Sequence, residues 1–139
     1  MSSITVLTVA DWCLLAAGLV VPFIFTIYAK ASKGFDNAKP REYMKQLAGA
    51  RKRAHWAVQN GYETFPLFIA AVLLAERAGV AQATVNALAV AFVACRLVYG
   101  VMYVCDKATL RSLVWVASMV CVVSLFVLSV RRIDSLRFQ

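Results

Sequence analysis

Four long apolar segments follow one another along the chain, and short polar stretches separate them. The first carries no charge between Trp12 and Ala29, and the last is likewise uncharged from Ser112 to Val130. Since a helix rises about 1.5 Å per residue, each segment is long enough to cross a hydrocarbon core of roughly 30 Å. The predicted helices cover residues 4–29, 54–75, 80–105 and 112–130. The pattern therefore predicts an all-α integral membrane protein, an up-down bundle of four transmembrane helices forming a single domain over residues 1–139.

The composition points to the same class of protein. Of the 139 residues, 62% are hydrophobic and only 16% are charged. Soluble domains average about 45–50% apolar and about 25% charged residues. The composition therefore excludes a soluble globular domain, and it excludes a disordered chain as well.

The net charge of +8 would suggest nucleic-acid binding in a soluble chain, so the positions of the basic residues decide its meaning. Eight Lys and Arg residues lie in the first loop, residues 30–53, and two more, Lys107 and Arg111, belong to the third. The opposite side carries only four. Because Lys and Arg accumulate in cytoplasmic loops, we expect both loops in the cytoplasm and both termini outside. The expected partner is the lipid bilayer and not nucleic acid.

The four cysteines are interpreted as buried free thiols. All of them lie in or at the edge of apolar segments, without a C-x-x-C pair and without a histidine at metal-ligand spacing. The sequence thus favours neither a disulfide framework nor a metal site.

Two ionisable residues, Glu63 and Arg96, fall inside predicted membrane segments, where a charge costs at least about 2.5–3.5 kcal/mol. At 100° per residue each shares a helix face with further polar residues. On the second helix these are Arg53, Trp56, Asn60 and Glu63, and on the third Arg96, Tyr99 and Tyr103. Arg111, at the start of the fourth helix, lies at the same level.

Two interpretations of this cluster stand side by side. In the first, Glu63 and Arg96 form an ion pair that only locks the bundle together. In the second, the cluster binds a small, charged, peptide-like ligand, with arginines on its carboxylates and Glu63 on its amine.

The residues of the cluster lie in stretches that resemble a known family. Residues 53–66, RAHWAVQNGYETFP, resemble the second-helix signature of the MAPEG superfamily, the membrane-associated proteins of eicosanoid and glutathione metabolism. Residues 96–103, RLVYGVMY, and the following Leu110-Arg111-Ser112 are similar to that family as well. The resemblance covers essentially the whole chain, and its overall character is that of a bacterial member similar to the microsomal glutathione transferases.

The resemblance implies a homotrimer of four-helix subunits in a bacterial inner membrane, with glutathione as co-substrate near the cytosolic face between subunits. It implies that the glutathione-binding residues are Arg53, Asn60, Glu63, Arg96, Tyr99 and Tyr103. Arg111 matches the arginine that stabilises the glutathione thiolate, and is the expected catalytic residue. The implied activity is that of a transferase or peroxidase acting on a lipophilic electrophile, without a metal.

The chain departs from the family pattern at two positions. Many members carry an arginine four residues before the asparagine, where this chain has Trp56, and some carry a tyrosine where it has Thr64. The first departure favours an alternative, a non-catalytic membrane scaffold or lipid-binding trimer. A third hypothesis is a small proton-coupled exporter in which Glu63 is the coupling carboxylate.

Overall fold

The computed structural model describes residues 6–137, and within this range the chain is helical, without a β-strand. The long helices are α1 (Val9–Lys30), α3 (Gly49–Arg77), α4 (Gln82–Val104) and α5 (Ala108–Arg137), and α2 (Pro40–Gln46) is short. Helices are the expected outcome, because a segment in lipid must satisfy its own backbone hydrogen bonds. The first two residues of the predicted helix 4–29 lie outside the described residues, and residues 6–8 are not helical, because the side chain of Thr8 caps the helix that begins at Val9.

Several helices extend further than the apolar pattern predicts. The second long helix begins at Gly49 rather than Ala54, and α5 continues through Arg131 and Arg132 to Arg137. Charged residues end an apolar stretch but not a helix, and arginines near a helix C-terminus interact favourably with its dipole. The predicted loop 30–53 accordingly contains α2 and the first turn of α3.

Three of the long helices, α1, α4 and α5, are long and apolar enough to cross a membrane. The protein is therefore an integral membrane protein. Helix α3 is not among these three, because its first half carries many polar and charged residues. It nevertheless packs against all of the other long helices.

Helix α1 contains a π-helical segment, Ala16–Val20, just before Pro22. Proline lacks a backbone N–H and crowds the carbonyl four residues earlier, and a π turn relieves both problems. In the same region Gly18 lies directly against the ring of Phe65, with no room for a Cβ atom. The irregular turn therefore brings α1 close to α3.

The buried core forms two clusters, a larger one around Phe68 and Phe92 and a smaller one around Phe25, and the partly buried Val93 packs against both. In the larger cluster the rings of Phe68 and Phe92 stack with centroids 3.9 Å apart. Towards the α2 side, Phe25 of α1 fills the space above Gly100 of α4, where a Cβ atom would collide with its ring. One turn before Gly100, Arg96 reaches the edge of this apolar packing. The core thus positions the polar residues that follow.

Candidate glutathione site

Arg96 is the most deeply buried charged residue of the described chain, with 5% of its surface exposed. Its Nη2 donates a 2.9 Å hydrogen bond to Oδ1 of Asn60, and its Cζ lies 4.3 Å from the centroid of the Tyr99 ring. Within residues 6–137, Nη1 is buried and has no hydrogen-bond partner. A buried guanidinium nitrogen without an acceptor is costly. Arg96 is therefore a cation with one donor still available.

Asn60 lies between Arg96 and Glu63 on the α3 side. Its Nδ2 donates to Oε2 of Glu63 at 3.3 Å, while its Oδ1 accepts from Arg96. The direct Glu63–Arg96 ion pair considered from the sequence does not form among the described residues, because the amide of Asn60 occupies the space between the two charges. Glu63 is exposed, so its carboxylate can still accept hydrogen bonds from a ligand.

Two tyrosines of α4 extend the cluster towards α5. The rings of Tyr99 and Tyr103 meet edge to face with centroids 5.5 Å apart, and Cζ of Arg111 lies 4.3 Å from the Tyr103 centroid. Tyr99 is buried and Tyr103 half-buried. A cation–π contact of this kind fixes the position of the guanidinium while leaving its N–H groups free to donate.

Asn60, Glu63, Tyr99 and Tyr103 border one cleft of about 360 Å³, which neither Arg96 nor Arg111 lines. Its lining residues are Trp56, Gln59, Asn60, Glu63, Tyr99 and Tyr103. The structure therefore brings most of the predicted site residues together within one protomer, with Arg96 behind Asn60 and Arg111 beside Tyr103.

Arg53 is placed differently from the other predicted site residues. Its Nε donates to the carbonyls of Tyr103 and Val104 at 3.1 and 3.2 Å, and its Nη2 donates to Val104 at 3.0 Å. Its Nη1 lies 3.9 Å from the carboxylate of Asp106. These contacts satisfy carbonyls that the end of α4 leaves unpaired. In this structure Arg53 positions Tyr103 and does not line the cleft.

A second cleft of about 470 Å³ adjoins the first and shares Trp56 and Gln59 with it. Its cationic lining residues are Arg41, Lys45 and Lys52, accompanied by His55 and Met44. The sequence interpretation passed over this cleft and over Gln59. The spacing of Lys52, Trp56, Gln59 and Glu63 on one helix face was a usable signal.

The cysteines are free, as predicted, but not all are buried. Cys13 and Cys121 are buried, Cys95 is half-buried and Cys105 is exposed. Cys105 differs because it follows the last residue of α4, where the chain turns and leaves the packed bundle. Within residues 6–137 no three His, Cys, Asp or Glu side chains lie close enough to share a metal ion.

A comparison with protein families decides the membership of the chain. The profile of the MAPEG family matches residues 9–131, which include all of the long apolar helices except the end of α5. The chain belongs to the MAPEG family. Searches of curated proteins and of solved structures each return no match.

Membership in the MAPEG family supports a membrane function related to glutathione-dependent transferases and peroxidases. The resemblance noted at residues 53–66 and 96–103 falls within the matched range. In this MAPEG chain those stretches form the cleft walls on α3 and α4, so the stretches that resemble the family are also the ones that gather polar groups next to the membrane segments.

Proposed function

We propose that this MAPEG protein is a membrane-embedded, glutathione-dependent enzyme that acts on lipophilic electrophiles, as a transferase or peroxidase. The observation that carries the proposal is Arg96, a buried cation whose Nη1 has no acceptor in the described chain and whose Nη2 is hydrogen-bonded to Asn60, a residue that lines the open polar cleft. A bound carboxylate or amide oxygen supplies such an acceptor. Because an enclosed cation attracts an anion far more strongly than an exposed one, a peptide with two carboxylates fits the site.

The charges of the cleft also fit the amine of glutathione. Glu63 is exposed at the cleft, and only one of its oxygens accepts a hydrogen bond from Asn60. Its remaining acceptor capacity suits an ammonium group. Tyr99 and Tyr103 add phenol hydroxyls that donate or accept hydrogen bonds along the peptide.

The carboxylate clamp that many family members have at position 56 is replaced here by Trp56. The adjoining cleft offers Lys52, whose Nζ lies 5.4 Å from the Trp56 centroid, together with Arg41 and Lys45. Along the α3 axis Lys52 and Glu63 are about 16 Å apart. An extended tripeptide spans about 10 Å, and the flexible lysine side chain covers the rest. We propose that the glycine carboxylate of glutathione points towards this cationic cleft.

Arg111 is proposed to stabilise the reactive thiolate. A guanidinium beside a thiol favours its charged form, which is the nucleophile. In the transferase reaction the thiol proton passes to water, the thiolate forms a carbon–sulfur bond with the electrophile, and the leaving group departs with its electron pair. In the peroxidase reaction the thiolate attacks an oxygen of a hydroperoxide, the O–O bond breaks with release of the alcohol, and a second glutathione converts the resulting sulfenic acid to the disulfide and water. Tyr103 holds Arg111 in place through the cation–π contact, and the bilayer delivers the apolar substrate.

The proposal includes the topology and assembly predicted from the sequence. Helix α3 crosses the membrane as a fourth span because its polar face is turned to the site and to neighbouring helices rather than to lipid. The end of the bundle that carries the basic loop 30–53, together with Lys107 and Arg111, faces the cytoplasm of a bacterium. Both termini lie outside, and three subunits assemble. The exposed position of Glu63 supports this assembly, since a charge at membrane level needs a polar neighbour.

The test is an ultraviolet difference spectrum of purified protein with glutathione. A thiolate absorbance is expected with the parent protein and lost in Arg111→Ala, while Arg137→Ala, an exposed arginine at the far end of the same helix, keeps it. If the parent protein gives no thiolate signal and binds no glutathione in equilibrium dialysis, the enzymatic proposal is wrong.

A non-catalytic scaffold is the second candidate, and Trp56 is the observation that favours it. In that case the polar cluster serves assembly alone. Glu63→Gln would then weaken trimers in detergent, while glutathione would change neither the trimer fraction nor the melting temperature of either protein.

A further inference from the structure

An open apolar groove runs along the outer surface between α4 and α5. Its volume is about 890 Å³, and its lining residues include Ala83 and Ala87 on α4 and Trp115, Val120 and Leu128 on α5. The side chains of Val120 and Val123 are more than half exposed. This groove lies on the bundle surface and does not share a lining residue with the glutathione cleft.

The groove continues into a cationic cleft at the end of the bundle away from Arg111. This second cleft, of about 590 Å³, shares Thr84 and Leu128 with the groove and is lined further by Arg131, Arg132 and Ser135. Within the described residues neither arginine has a carboxylate within 4 Å.

The helix face explains why both arginines contribute to the cleft. At 100° per residue, Leu128, Arg131, Arg132 and Ser135 fall within one third of the circumference of α5. The acid on α5, Asp134, lies three residues after Arg131 but does not line the cleft, and it lies more than 4 Å from both arginines. The junction thus combines a long apolar channel with two arginines that, within the described residues, have no ion-pair partner.

The dimensions match a lipid. From Trp115 to Leu128 the groove follows α5 for about 20 Å, whereas one leaflet of a hydrocarbon core is about 15 Å deep. An acyl chain therefore fits along the groove while its headgroup remains at the level of the two arginines. Arginine binds phosphate through paired hydrogen bonds, and cations near a membrane surface attract anionic headgroups by about 1 kcal/mol each.

We propose that this composite surface is a binding site for an anionic phospholipid, with an acyl chain in the α4–α5 groove and the phosphate on Arg131 and Arg132. The site is separate from the glutathione cleft, so it stands or falls independently of the proposed enzymatic function.

The test uses the purified full-length protein in detergent, titrated with phosphatidylglycerol or with phosphatidylcholine of the same acyl chains, and bound lipid is counted by native mass spectrometry. The parent protein is expected to bind phosphatidylglycerol in preference to phosphatidylcholine. Arg131→Ala combined with Arg132→Ala should weaken phosphatidylglycerol binding about thirtyfold, from two contacts of the above size. The control Arg137→Ala removes a charge outside the cleft and should leave binding within about twofold of the parent.

Two further measurements distinguish binding of the acyl chain from binding of the headgroup. Ala87→Phe should narrow the groove and weaken phosphatidylglycerol binding while both arginines remain, and glycerol 3-phosphate, a headgroup without tails, should not compete. Equal binding of the two lipids, or unchanged binding in the double arginine variant, overturns the proposal. Competition by glycerol 3-phosphate would indicate a soluble-anion site instead. If Ala87→Phe changes the oligomeric state but not lipid binding, the groove is an interface between copies of the chain.

Discussion

The polar residues at the two ends of the helical bundle differ in how completely they are hydrogen-bonded. At the end where α1 begins, a hydrogen-bond network joins Thr8, Asp11, Glu76, Gln82 and Asn86, and within residues 6–137 none of their buried side-chain atoms lacks a partner. Glu76 Oε1 accepts hydrogen bonds from Thr8 Oγ1 and Gln82 Nε2, both at 3.0 Å. Asn86 Oδ1 accepts from the Ala10 amide at 3.0 Å.

The cleft proposed to bind glutathione, at the other end, contains comparable groups, but a buried donor lacks a partner there. Arg96 keeps a donor without an acceptor, and Glu63 keeps free acceptor capacity. A network that satisfies its members rigidifies the fold, whereas one that leaves buried groups unpaired stays costly until a ligand supplies the partners. This difference supports a structural role for the first end and the proposed binding role for the second.

Arg96→Met should give the largest effect on binding. Hydrogen bonds to charged groups contribute about 1.5–3 kcal/mol, so the affinity for glutathione should fall roughly tenfold to hundredfold. The melting temperature without glutathione should change little, because removal of a buried charge with an unpaired donor offsets the lost hydrogen bond to Asn60. Calorimetric titration and thermal unfolding measure the two quantities. A variant that loses much of its stability and keeps its affinity would make Arg96 a structural residue.

Glu76→Ala tests the hydrogen-bond network at the end where α1 begins, and it should lower stability without changing the affinity for glutathione. It removes the acceptor of two hydrogen bonds, so the free energy of unfolding should fall by about 1–3 kcal/mol. The affinity for glutathione should stay unchanged, because the network lies at the other end of the bundle. Glu76→Gln, which keeps an acceptor oxygen, serves as the matched control and should retain more stability. Loss of glutathione affinity in Glu76→Ala would show that the two ends are not separable.

Lys52→Ala should have the smallest effect. Lys52 is half-buried at the edge of the cationic cleft, and an exposed charge pair contributes about 0.2–1 kcal/mol. The dissociation constant for glutathione should therefore rise by less than about sixfold, and more at low salt than at high salt. Lys33→Ala, an exposed loop lysine that lines neither cleft, is the control. If the two substitutions change the dissociation constant for glutathione equally, the adjoining cleft is not part of the ligand site.

Spacing along the helices predicted which residues share a helix face, but not the partners of each side chain. Asn60, Glu63, Tyr99 and Tyr103 line one cleft because helical periodicity is a local property that the sequence contains. The use of Arg53 as a cap for α4 depends on how closely two helices approach, which periodicity does not encode. The contribution of Gln59 depends in the same way on the neighbouring cleft.

The irregular segment of α1 could not be predicted from the sequence either. Pro22 indicates a disturbance of the helix, but its form, a π-helical segment at Ala16–Val20, depends on the fit of Gly18 against Phe65. The exposure of Cys105 likewise follows from where α4 ends. These features arise from tertiary packing, so they appear only once the helices are assembled.

The most direct test of the central claim is the melting temperature of the purified protein in detergent, with and without glutathione. A ligand that binds only the folded protein stabilises it by about 2.7 kcal/mol at a concentration one hundred times its dissociation constant. We expect millimolar glutathione to raise the melting temperature of the parent protein and of Glu76→Ala, and to leave that of Arg96→Met almost unchanged. No rise in the parent protein, or the same rise in Arg96→Met, would contradict the assignment of a glutathione site to the open end of the bundle.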